Sequence, residues 1–380
     1  MMRKLTFVIL ILGAFMLYGC SGNKPQSQAV KETSVNETPK NVVATDTVKD
    51  QKEVNIGFVA MTGGSPQAFI NQKYSVFTDQ LKPLGLSVKY SIVHGLQEVY
   101  PLLDSGKADF IYMPQTAFTT YVTKNSRFGG GDNYVMIAGS TNINDTNLVM
   151  RPGLNSLKDL DGKKVGIANL RYADEYQLNK ILNTVGLKTK SNGGTVEVLW
   201  DDIVSKLWAN YASKKYDAIV VFDNANNLPT VLKMVPGSKV LSLNPDGMFG
   251  EQQPRVWLVT KKSNIQNNPE LVRTFLKAHI LSTDKATASR SELPDINREM
   301  RVKWFTDKIP QEKLLEQNKI EKFQAAWKSA GITYNPNVQY ATELIEYMIK
   351  HGYAKGLSID DFMQIDPLNQ VLKDMNRPTV

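Results

Sequence analysis

The sequence predicts an α/β protein built from two doubly wound α/β lobes, with a hinge, an interlobe cleft and a helical C-terminal segment. Three observations lead to this fold class. Apolar runs of strand length alternate with helical stretches between residues 54 and 138, and the alternation restarts near residue 146. Beyond Pro269, apolar residues recur three and four positions apart, which indicates helices. Such alternation is typical of sheets covered by helices on both faces.

The first set of elements begins with an apolar strand at residues 54–60, followed by a helical stretch at residues 66–81. Further strands are predicted at residues 86–93, 108–113 and 134–138, with helices at residues 96–104 and from Gln115. We expect the strands to be parallel, so that the loops after their carboxyl ends meet at one edge and bind the ligand. The candidate ligand-binding residues in these loops are Gly63, Gly64, Ser65, His94, Gln115, Thr116 and Ser140.

The second set has predicted strands at residues 165–168, 196–200 and 217–222, with helices at residues 172–185 and from Asp202. Extended segments near residues 143–149 and 251–259 join the two sets, which favours a hinge between two lobes. We expect a ligand to sit between the lobes and to favour the closed form. Helices predicted at residues 270–282, 296–306, 312–329 and 338–349 are expected to support the lobes by packing.

The first twenty residues have the layout of a bacterial lipoprotein signal. Arg3 and Lys4 precede an apolar run from Leu5 to Phe15, and Gly19 precedes Cys20. An apolar run of about eleven residues is too short to span a bilayer. We therefore expect residues 1–19 to be a signal peptide, and Cys20 to carry a lipid such as palmitate at the start of the mature chain.

The expected domain boundaries follow from these patterns. Residues 20–52 lack aromatic side chains and are expected to form a lipidated, disordered tether. Residues 53–145 are assigned to the first part of lobe 1, residues 146–254 to lobe 2, and residues 255–380 to the return to lobe 1 and the C-terminal helices. The lipid would hold the protein outside the cytoplasm, on the outer face or periplasmic side of the cell membrane.

Composition excludes some classes of function. Cys20 is the only cysteine, so the chain cannot form an internal disulfide or a cysteine-based zinc site, and 42% hydrophobic residues must provide the core. The net charge of +8 is spread without basic blocks, which does not indicate a nucleic-acid partner. We expect a monomer without a cofactor or metal.

Four segments together resemble a known family. Residues 156–167 read SLKDLDGKKVGI, residues 106–110 read GKADF, residues 215–218 read KYDA and residues 268–275 read NPELVRTF. They resemble the periplasmic binding proteins of ABC importers, in the nitrate/sulfonate/taurine group, which shares a superfamily with binders of pyrimidine precursors of thiamine. The resemblance implies a type II periplasmic-binding fold, capture of a small solute, and delivery to a permease with a separate ATPase.

The resemblance also implies ligand contacts after the first strand and at helix amino termini. Gly63, Gly64 and Ser65 lie at such a helix start, where backbone N–H groups and the helix dipole can hold an anionic oxygen. An ordinary turn with Ser65 as the N-cap and Pro66 at the first helical position fits equally well.

In the second lobe, Arg171 could pair bidentately with a carboxylate, sulfonate or phosphonate. The alternative is a surface ion pair between Arg171 and Asp174 or Glu175. Acidic residues at strand ends could bind an amine or a ring N–H, although Asp202 also fits as the N-cap of the next helix. The candidate ligand-binding residues of this lobe are Asn169, Arg171, Tyr172, Asp202 and Asp223, and the nearby aromatic residues are Trp200, Phe222, Phe249 and Trp257.

These groups favour an organic solute, either a taurine-like aminosulfonate or a heteroaromatic thiamine precursor, over nitrate. One alternative is an enzyme on the same fold, similar to the eukaryotic pyrimidine synthases. The chain does not support that alternative, because it lacks the Cys-rich motif of those enzymes. Its only histidines are His94, His279 and His351, which are widely spaced. Another alternative is a surface lipoprotein that binds a protein partner.

Overall fold

The computed structural model describes residues 52–93, 96–128, 134–168, 172–222, 227–250, 253–306 and 309–380. These residues belong to one compact unit. The predicted signal peptide, Cys20 and the predicted tether up to residue 51 lie outside the described residues.

The first group of elements follows the predicted alternation closely. One difference is a break at Ser75, whose left-handed backbone (φ 52°) divides the predicted helix at residues 66–81 into two. The elements are β1 (Lys52–Val59), α1 (Pro66–Tyr74), α2 (Val76–Leu81), β2 (Leu86–Val93), α3 (Leu96–Asp104), β3 (Phe110–Pro114), α4 (Gln115–Phe128) and β4 (Tyr134–Asn142).

The second group begins as soon as the chain leaves β4. Its elements are β5 (Thr146–Met150), β6 (Lys164–Ala168), α5 (Tyr172–Asn183), β7 (Glu197–Asp201), α6 (Val204–Ala212), β8 (Ala218–Phe222), α7 (Asn227–Met234) and β9 (Lys239–Ser242).

The remaining chain returns through one long strand and then becomes mostly helical, as predicted. The predicted helix at residues 312–329 is two helices. The elements are β10 (Pro254–Lys261), α8 (Lys262–Asn267), α9 (Pro269–Ala288), α10 (Leu293–Phe305), α11 (Gln311–Gln317), α12 (Ile320–Ser329), β11 (Gly331–Ile332), α13 (Val338–Lys350) and α14 (Asp366–Asp374).

Within the described residues, the strands form two mixed sheets, ordered β11-β4-β10-β3-β1-β2 and β7-β6-β8-β5-β9. The expectation of parallel strands is correct for β1 with β2 and β3, and for β6 with β7 and β8. It is wrong for β10, which runs antiparallel to β3 and β4, and for β5, which runs antiparallel to β8 and β9. Both exceptions are the strands that the chain enters directly after crossing between the sheets, without a helical crossover.

The first sheet is buried on both faces. Alternate residues along a strand point to opposite faces of its sheet, and those of β10 belong to two different apolar clusters. Val256 and Leu258 of β10 belong to a cluster that includes α1, α9 and α10. Trp257 and Val259 belong to a second cluster, which includes α4 and α13 and extends to Tyr172 of α5. The second cluster therefore joins helices of both sheets.

The chain crosses between the sheets twice, through residues 143–145 and between β9 and β10, where residues 243–250 and 253 are described; we call these the crossing segments. The two crossing segments are hydrogen-bonded to each other: Ile143 N–H donates to the carbonyl oxygen of Gln253 at 2.8 Å. Gln253 N–H in turn donates to Oδ1 of Asn144 at 3.1 Å. Pro254 then pairs with Asn142, so the crossings lie side by side at the edge where β4 ends.

Candidate functional site

The loop after β1 is a strained turn that leaves a hydroxyl free. Gly63 (φ 72°) and Ser65 (φ 54°) have left-handed backbones, and Pro66 begins α1. Ser65 occupies the N-cap position, as the turn alternative predicted, but its side chain makes no capping hydrogen bond. Its Oγ is buried and meets no hydrogen-bond partner among the described residues. A buried hydroxyl without a partner is costly, so this group is a candidate for contact with a ligand.

The C-terminal helices hold this loop in place. Oδ1 of Asn297 on α10 accepts a hydrogen bond from Gly63 N–H at 3.4 Å, and Nη1 of Arg301 donates to the carbonyl oxygen of Ala60 at 2.8 Å. A Cβ atom on Gly63 would lie 3.2 Å from Cβ of Ala326 on α12. The C-terminal helices therefore support the loop directly, as the sequence predicted for them in general terms.

Val256 marks the point where the loops of the first sheet converge. It pairs with Pro114 at the end of β3 and with Thr141 at the end of β4. Its Cγ2 atom would lie 3.4 Å from a Cβ atom on Gly64. The predicted convergence of the Gly63–Ser65 loop, the start of α4 and the end of β4 is therefore present.

Two candidate residues open α4. Gln115 and Thr116 are both buried directly after β3. Nε2 of Gln115 donates to the hydroxyl of Tyr340 on α13 at 3.1 Å, while its Oε1 meets no partner in the described part of the chain. The carbonyl oxygens of Gln115 and Thr116 both accept from Oγ1 of Thr119 within the helix.

Ser140 is engaged in the interior of the first sheet. Its hydroxyl donates to Oε1 of Gln67 at 2.6 Å, and Nε2 of Gln67 donates to Oγ1 of Thr283 at 2.9 Å. The next residue, Thr141, is also fully buried, but its Oγ1 has no partner among the residues that the structure describes. The free hydroxyl at the end of β4 is therefore that of Thr141.

An ion pair joins the crossing region to the first sheet. Nη2 of Arg255, on β10, lies 3.5 Å from Oδ2 of Asp145, and the two side chains are only 14% and 13% exposed. Nη1 of Arg255 would lie 3.4 Å from a Cβ atom on Gly63. A guanidinium group and a carboxylate therefore stand beside the glycine loop, where each could meet an opposite charge of a ligand.

On the second sheet, Tyr172 and Asp202 occupy different environments. Tyr172 is the buried first residue of α5, and its ring stacks on that of Tyr353 with centroids 4.7 Å apart and 6.0 Å from Trp200. Asp202 is 79% exposed at its side chain and lies 4.0 Å from Lys206. The alternative that Asp202 is the N-cap of α6 is wrong, because Ile203 holds that position.

Four candidate residues lie outside the described residues: His94, Asn169, Arg171 and Asp223. The two acidic residues offered as alternative partners of Arg171, Asp174 and Glu175, are both buried. The carboxylate of Glu175 accepts hydrogen bonds from Tyr353 Oη at 2.8 Å and Ser191 Oγ at 3.1 Å.

The two sheets meet along α5, which packs against α4 and α13; we call this contact the seam. Nε2 of Gln177 on α5 donates to Tyr340 Oη at 2.7 Å. Tyr176 Oη donates to Glu343 on α13 at 2.6 Å, and Glu343 also pairs with Lys180. Burial alone would raise the pKa of Glu343, but the hydrogen bonds from Lys180 and Tyr176 outweigh burial and lower that pKa to about 2.

Sequence analysis did not identify several of these groups. Arg255 and Asp145 lie within the segments predicted as a hinge, and their opposite charges in the two segments were the available signal. Gln177 and Tyr340 gave no such signal, because 163 residues separate them and only the folded chain brings their side chains together.

Comparison with known proteins identifies the family. The family model described as NMT1/THI5 like matches residues 81–292, which is more than half of the chain. The chain belongs to the NMT1/THI5-like family. No curated protein matches this NMT1/THI5-like chain by sequence.

Solved structures with the same fold include transport proteins and an enzyme. The periplasmic sulfonate-binding protein SsuA from Methylobacillus flagellatus matches with a TM-score of 0.57 and 17% identity, covering 87% of this chain and 96% of that one. The periplasmic nitrate-binding protein NrtA from Synechocystis matches with a TM-score of 0.54 and 13% identity, covering 87% and 90%. The desulfurization enzyme DSZB matches with a TM-score of 0.51 and 13% identity, covering 85% and 99%. The predicted periplasmic-binding fold is thus confirmed for this NMT1/THI5-like protein.

Among the described residues of the NMT1/THI5-like chain, no helix has both the length and the apolar character needed to cross a bilayer.

Proposed function

We propose that the protein is an extracytoplasmic solute-binding lipoprotein of an ABC importer, which captures a small organic solute and delivers it to a membrane permease. Three findings support this proposal. The chain belongs to the NMT1/THI5-like family, its fold is that of periplasmic sulfonate- and nitrate-binding proteins, and its first twenty residues have the layout of a lipoprotein signal.

The observation that carries the proposal is the set of buried polar groups around the converging loops. Ser65 Oγ, Thr141 Oγ1 and Gln115 Oε1 come from the first sheet and its helices, and Gln177 Oε1 comes from α5 of the second sheet. None of these four atoms has a hydrogen-bond partner among the described residues. Proteins rarely leave buried polar atoms unpaired, so a bound solute would explain four such atoms in one region.

We assign residues 53–145 and 255–380 to lobe 1 and residues 146–254 to lobe 2, with the crossing segments as the hinge. Opening at the hinge would separate α5 from α4 and α13, and solute would favour the form in which they meet. The permease would recognise that closed form. The energy would come from a separate ATPase, since the sequence has no nucleotide-binding motif.

The charges at the site favour a solute with both acidic and N–H groups. Arg255 and the Gly63–Ser65 loop suit a sulfonate or carboxylate, and Asp145 suits an ammonium group. The rings of Tyr172 and Trp200 suit a flat heterocycle. A taurine-like aminosulfonate and a heteroaromatic thiamine precursor are the proposed solute classes, with His94, Asn169, Arg171 and Asp223 as further proposed contacts.

A thermal-shift screen of the purified chain tests the proposal. The panel is taurine, alkanesulfonates, nitrate, phosphonates, thiamine precursors, riboflavin and amino acids. A solute at a hundred times its dissociation constant should stabilise the fold by about 2.7 kcal/mol, which raises the melting temperature by a few degrees. If no compound shifts the melting temperature of protein freed of carried-over ligand, the solute-binding proposal is wrong and a lipoprotein with a protein partner becomes the better explanation.

Arg255→Ala should weaken binding of the solute found in that screen about 100-fold, because a buried guanidinium bond to an anionic group contributes about 2 to 3 kcal/mol. Isothermal titration calorimetry measures the change. Arg273→Ala is the matched control, since Arg273 pairs with Asp374 at an exposed position outside the site. Equal losses in both variants, or no loss in either, would remove Arg255 from the site.

The lipid anchor is tested separately from the solute. Cys20→Ser should abolish incorporation of an alkyne-labelled palmitate and move the protein from the membrane fraction to the soluble fraction, because the acceptor thiol is gone. Labelling that persists in Cys20→Ser would contradict the anchor while leaving solute binding unaffected.

We propose a binding protein and not an enzyme, although the fold also occurs in the enzyme DSZB. The eukaryotic pyrimidine synthases, which the sequence resemblance places in the same superfamily, use a Cys-rich motif, and the only cysteine of this chain is Cys20. We further propose that the protein is a monomer with no nucleic-acid partner.

A further inference from the structure

Three side chains from three separate helices meet at the seam. Gln115 is the first residue of α4, Gln177 lies in α5 and Tyr340 lies in α13. Both glutamine side chains donate through Nε2 to the hydroxyl oxygen of Tyr340, at 3.1 Å from Gln115 and 2.7 Å from Gln177. The Tyr340 hydroxyl thus fixes the nitrogen end of both amides.

The oxygen ends of the same amides are buried without partners. Gln115 is 6% exposed and Gln177 is 1% exposed. Neither Oε1 atom has a hydrogen-bond partner in the described ranges. Leaving a buried carbonyl oxygen unpaired costs about 1 to 3 kcal/mol, so two of them beside one hydroxyl require an explanation.

Rotating an amide by half a turn does not remove the problem. If the Gln177 amide were turned, the Tyr340 hydroxyl could donate to its oxygen, but Oε1 of Gln115 would still lack a donor. Turning both amides would present two oxygens to a hydroxyl with a single hydrogen. In each arrangement at least one of the two buried amide oxygens therefore has no donor among the described residues.

The surroundings of these amides connect them to the proposed solute site. Gln115 directly follows Pro114, which pairs with Val256 where the loops converge. The ring of Tyr340 is met by the rings of Phe249 and Tyr176, with centroids 5.6 Å and 5.7 Å away. The Tyr340 ring that carries the shared hydroxyl is therefore enclosed by aromatic side chains, and because both amide oxygens are buried, a hydrogen bond from a donor would be strong there.

We propose that Gln115 and Gln177 form a subsite for an N–H donor of the solute, in which their amide oxygens accept hydrogen bonds from an amine or from the amino group of a ring. This inference rests on the proposed function and assigns two residues to the N–H group of its solute. A solute without hydrogen on nitrogen, such as nitrate, cannot serve the subsite. Because Gln115 belongs to a helix on the first sheet and Gln177 to a helix on the second, the subsite is complete only when the seam is closed.

Two matched solute pairs test the subsite by calorimetry on the full chain: taurine against 1-propanesulfonate, and 4-amino-2-methylpyrimidine against 2,4-dimethylpyrimidine. In each pair the members differ chiefly in the amino group. The wild-type chain should bind the amino member of at least one pair more than tenfold more tightly than its partner. Gln177→Leu should reduce that preference to within about twofold, since it removes one acceptor while keeping a similar volume.

Two further variants keep the test decisive. Asn179 lies on the same helix, and its Oδ1 accepts a hydrogen bond from Thr189. Asn179→Leu should therefore retain the preference for the amino solute. Gln177→Glu keeps an acceptor oxygen and adds negative charge, so it should retain or strengthen binding of taurine relative to 1-propanesulfonate. Each variant is first checked for a cooperative melting transition.

A wild-type chain that binds no amino compound more tightly than its partner overturns the subsite, as does a preference that survives in Gln177→Leu. Solute binding as such fails only if the complete thermal-shift panel is without effect. The two failures are therefore distinguishable.

Discussion

Acidification from pH 7 to pH 5 should lower the free energy of unfolding by about 2 kcal/mol through His279 alone. His279 lies in α9 and is fully buried, and burial lowers its pKa to about 3, although its bond to Gly139 opposes the shift. In the unfolded chain the histidine pKa is about 6.5. The unfolded chain therefore binds a proton that the folded chain excludes, so this contribution is complete above about pH 6.5 and is lost as the pH falls towards 3.

The hydrogen bonds explain why the folded chain keeps His279 neutral. Nδ1 of His279 lies 2.8 Å from Tyr112 Oη, and Nε2 lies 2.9 Å from the carbonyl oxygen of Gly139. Burial raises the pKa of Tyr112 well above its usual value, so its phenol stays protonated and donates to Nδ1. Nε2–H then donates to Gly139, and a second ring proton on Nδ1 would end the hydrogen bond that the Tyr112 hydroxyl donates to that nitrogen.

Urea unfolding at pH 7 and pH 5 measures the effect. His279→Gln should lose most of the acid-dependent difference, even though the variant starts from a lower stability. His351→Gln is the matched control, because His351 also has a pKa lowered by burial but is only partly buried. If His279→Gln loses as much stability between pH 7 and pH 5 as the wild-type chain, the histidine is not the group that titrates.

Local patterns predicted individual elements well. The alternation of apolar residues gave β2 (Leu86–Val93) and the helical spacing gave α3 (Leu96–Asp104) with the bounds that the structure has. The break at Ser75 was not predicted, because a left-handed serine has no distinctive sequence signal. The antiparallel directions of β5 and β10 were missed for another reason: strand direction depends on how the chain crosses between sheets, which local periodicity does not encode.

The candidate site was predicted in part. The order of the elements determines which loops meet, but side-chain packing determines which groups in those loops are free. Loops after parallel strands must meet at one sheet edge, so Gly64 and Gln115 could be placed there from the order of elements. The hydroxyl of Ser140 is engaged by Gln67 while that of Thr141 is free, and only side-chain packing decides between the two. Tyr340 enters the site from the distant C-terminal segment, so its contact with Gln177 could not be read from spacing.

Gly139→Ala should lower the free energy of unfolding by about 3 kcal/mol, at the upper end of the usual cost of overpacking. A Cβ atom at this position would overlap the carbonyl oxygen of Asn335 and would lie 2.9 Å from the backbone nitrogen of Pro336. Both contacts are with backbone, so no side chain can rotate to relieve them. The segment that leads into α13 would have to move.

Gly57→Ala is the matched control for this variant, because Gly57 lies in β1 of the same sheet. The nearest contact of its added Cβ, at 2.9 Å, is Cδ2 of the Leu102 side chain, which can shift. Gly57→Ala should therefore cost less than Gly139→Ala in urea unfolding at pH 7. Equal costs for the two variants would show that the C-terminal segment yields as easily as a side chain.

Gly139→Ala should also act on the solute site. The displaced segment continues into Asn337, whose Oδ1 accepts from Tyr340 N–H at 3.1 Å at the start of α13. Moving this helix start shifts the Tyr340 hydroxyl that holds Gln115 and Gln177, so the preference for amino solutes should fall along with stability. Because His279 bonds to the Gly139 carbonyl oxygen, the stability losses of Gly139→Ala and His279→Gln should not add. If the two losses of unfolding free energy were additive, Gly139 and His279 would contribute to stability independently, and their hydrogen bond would not couple them.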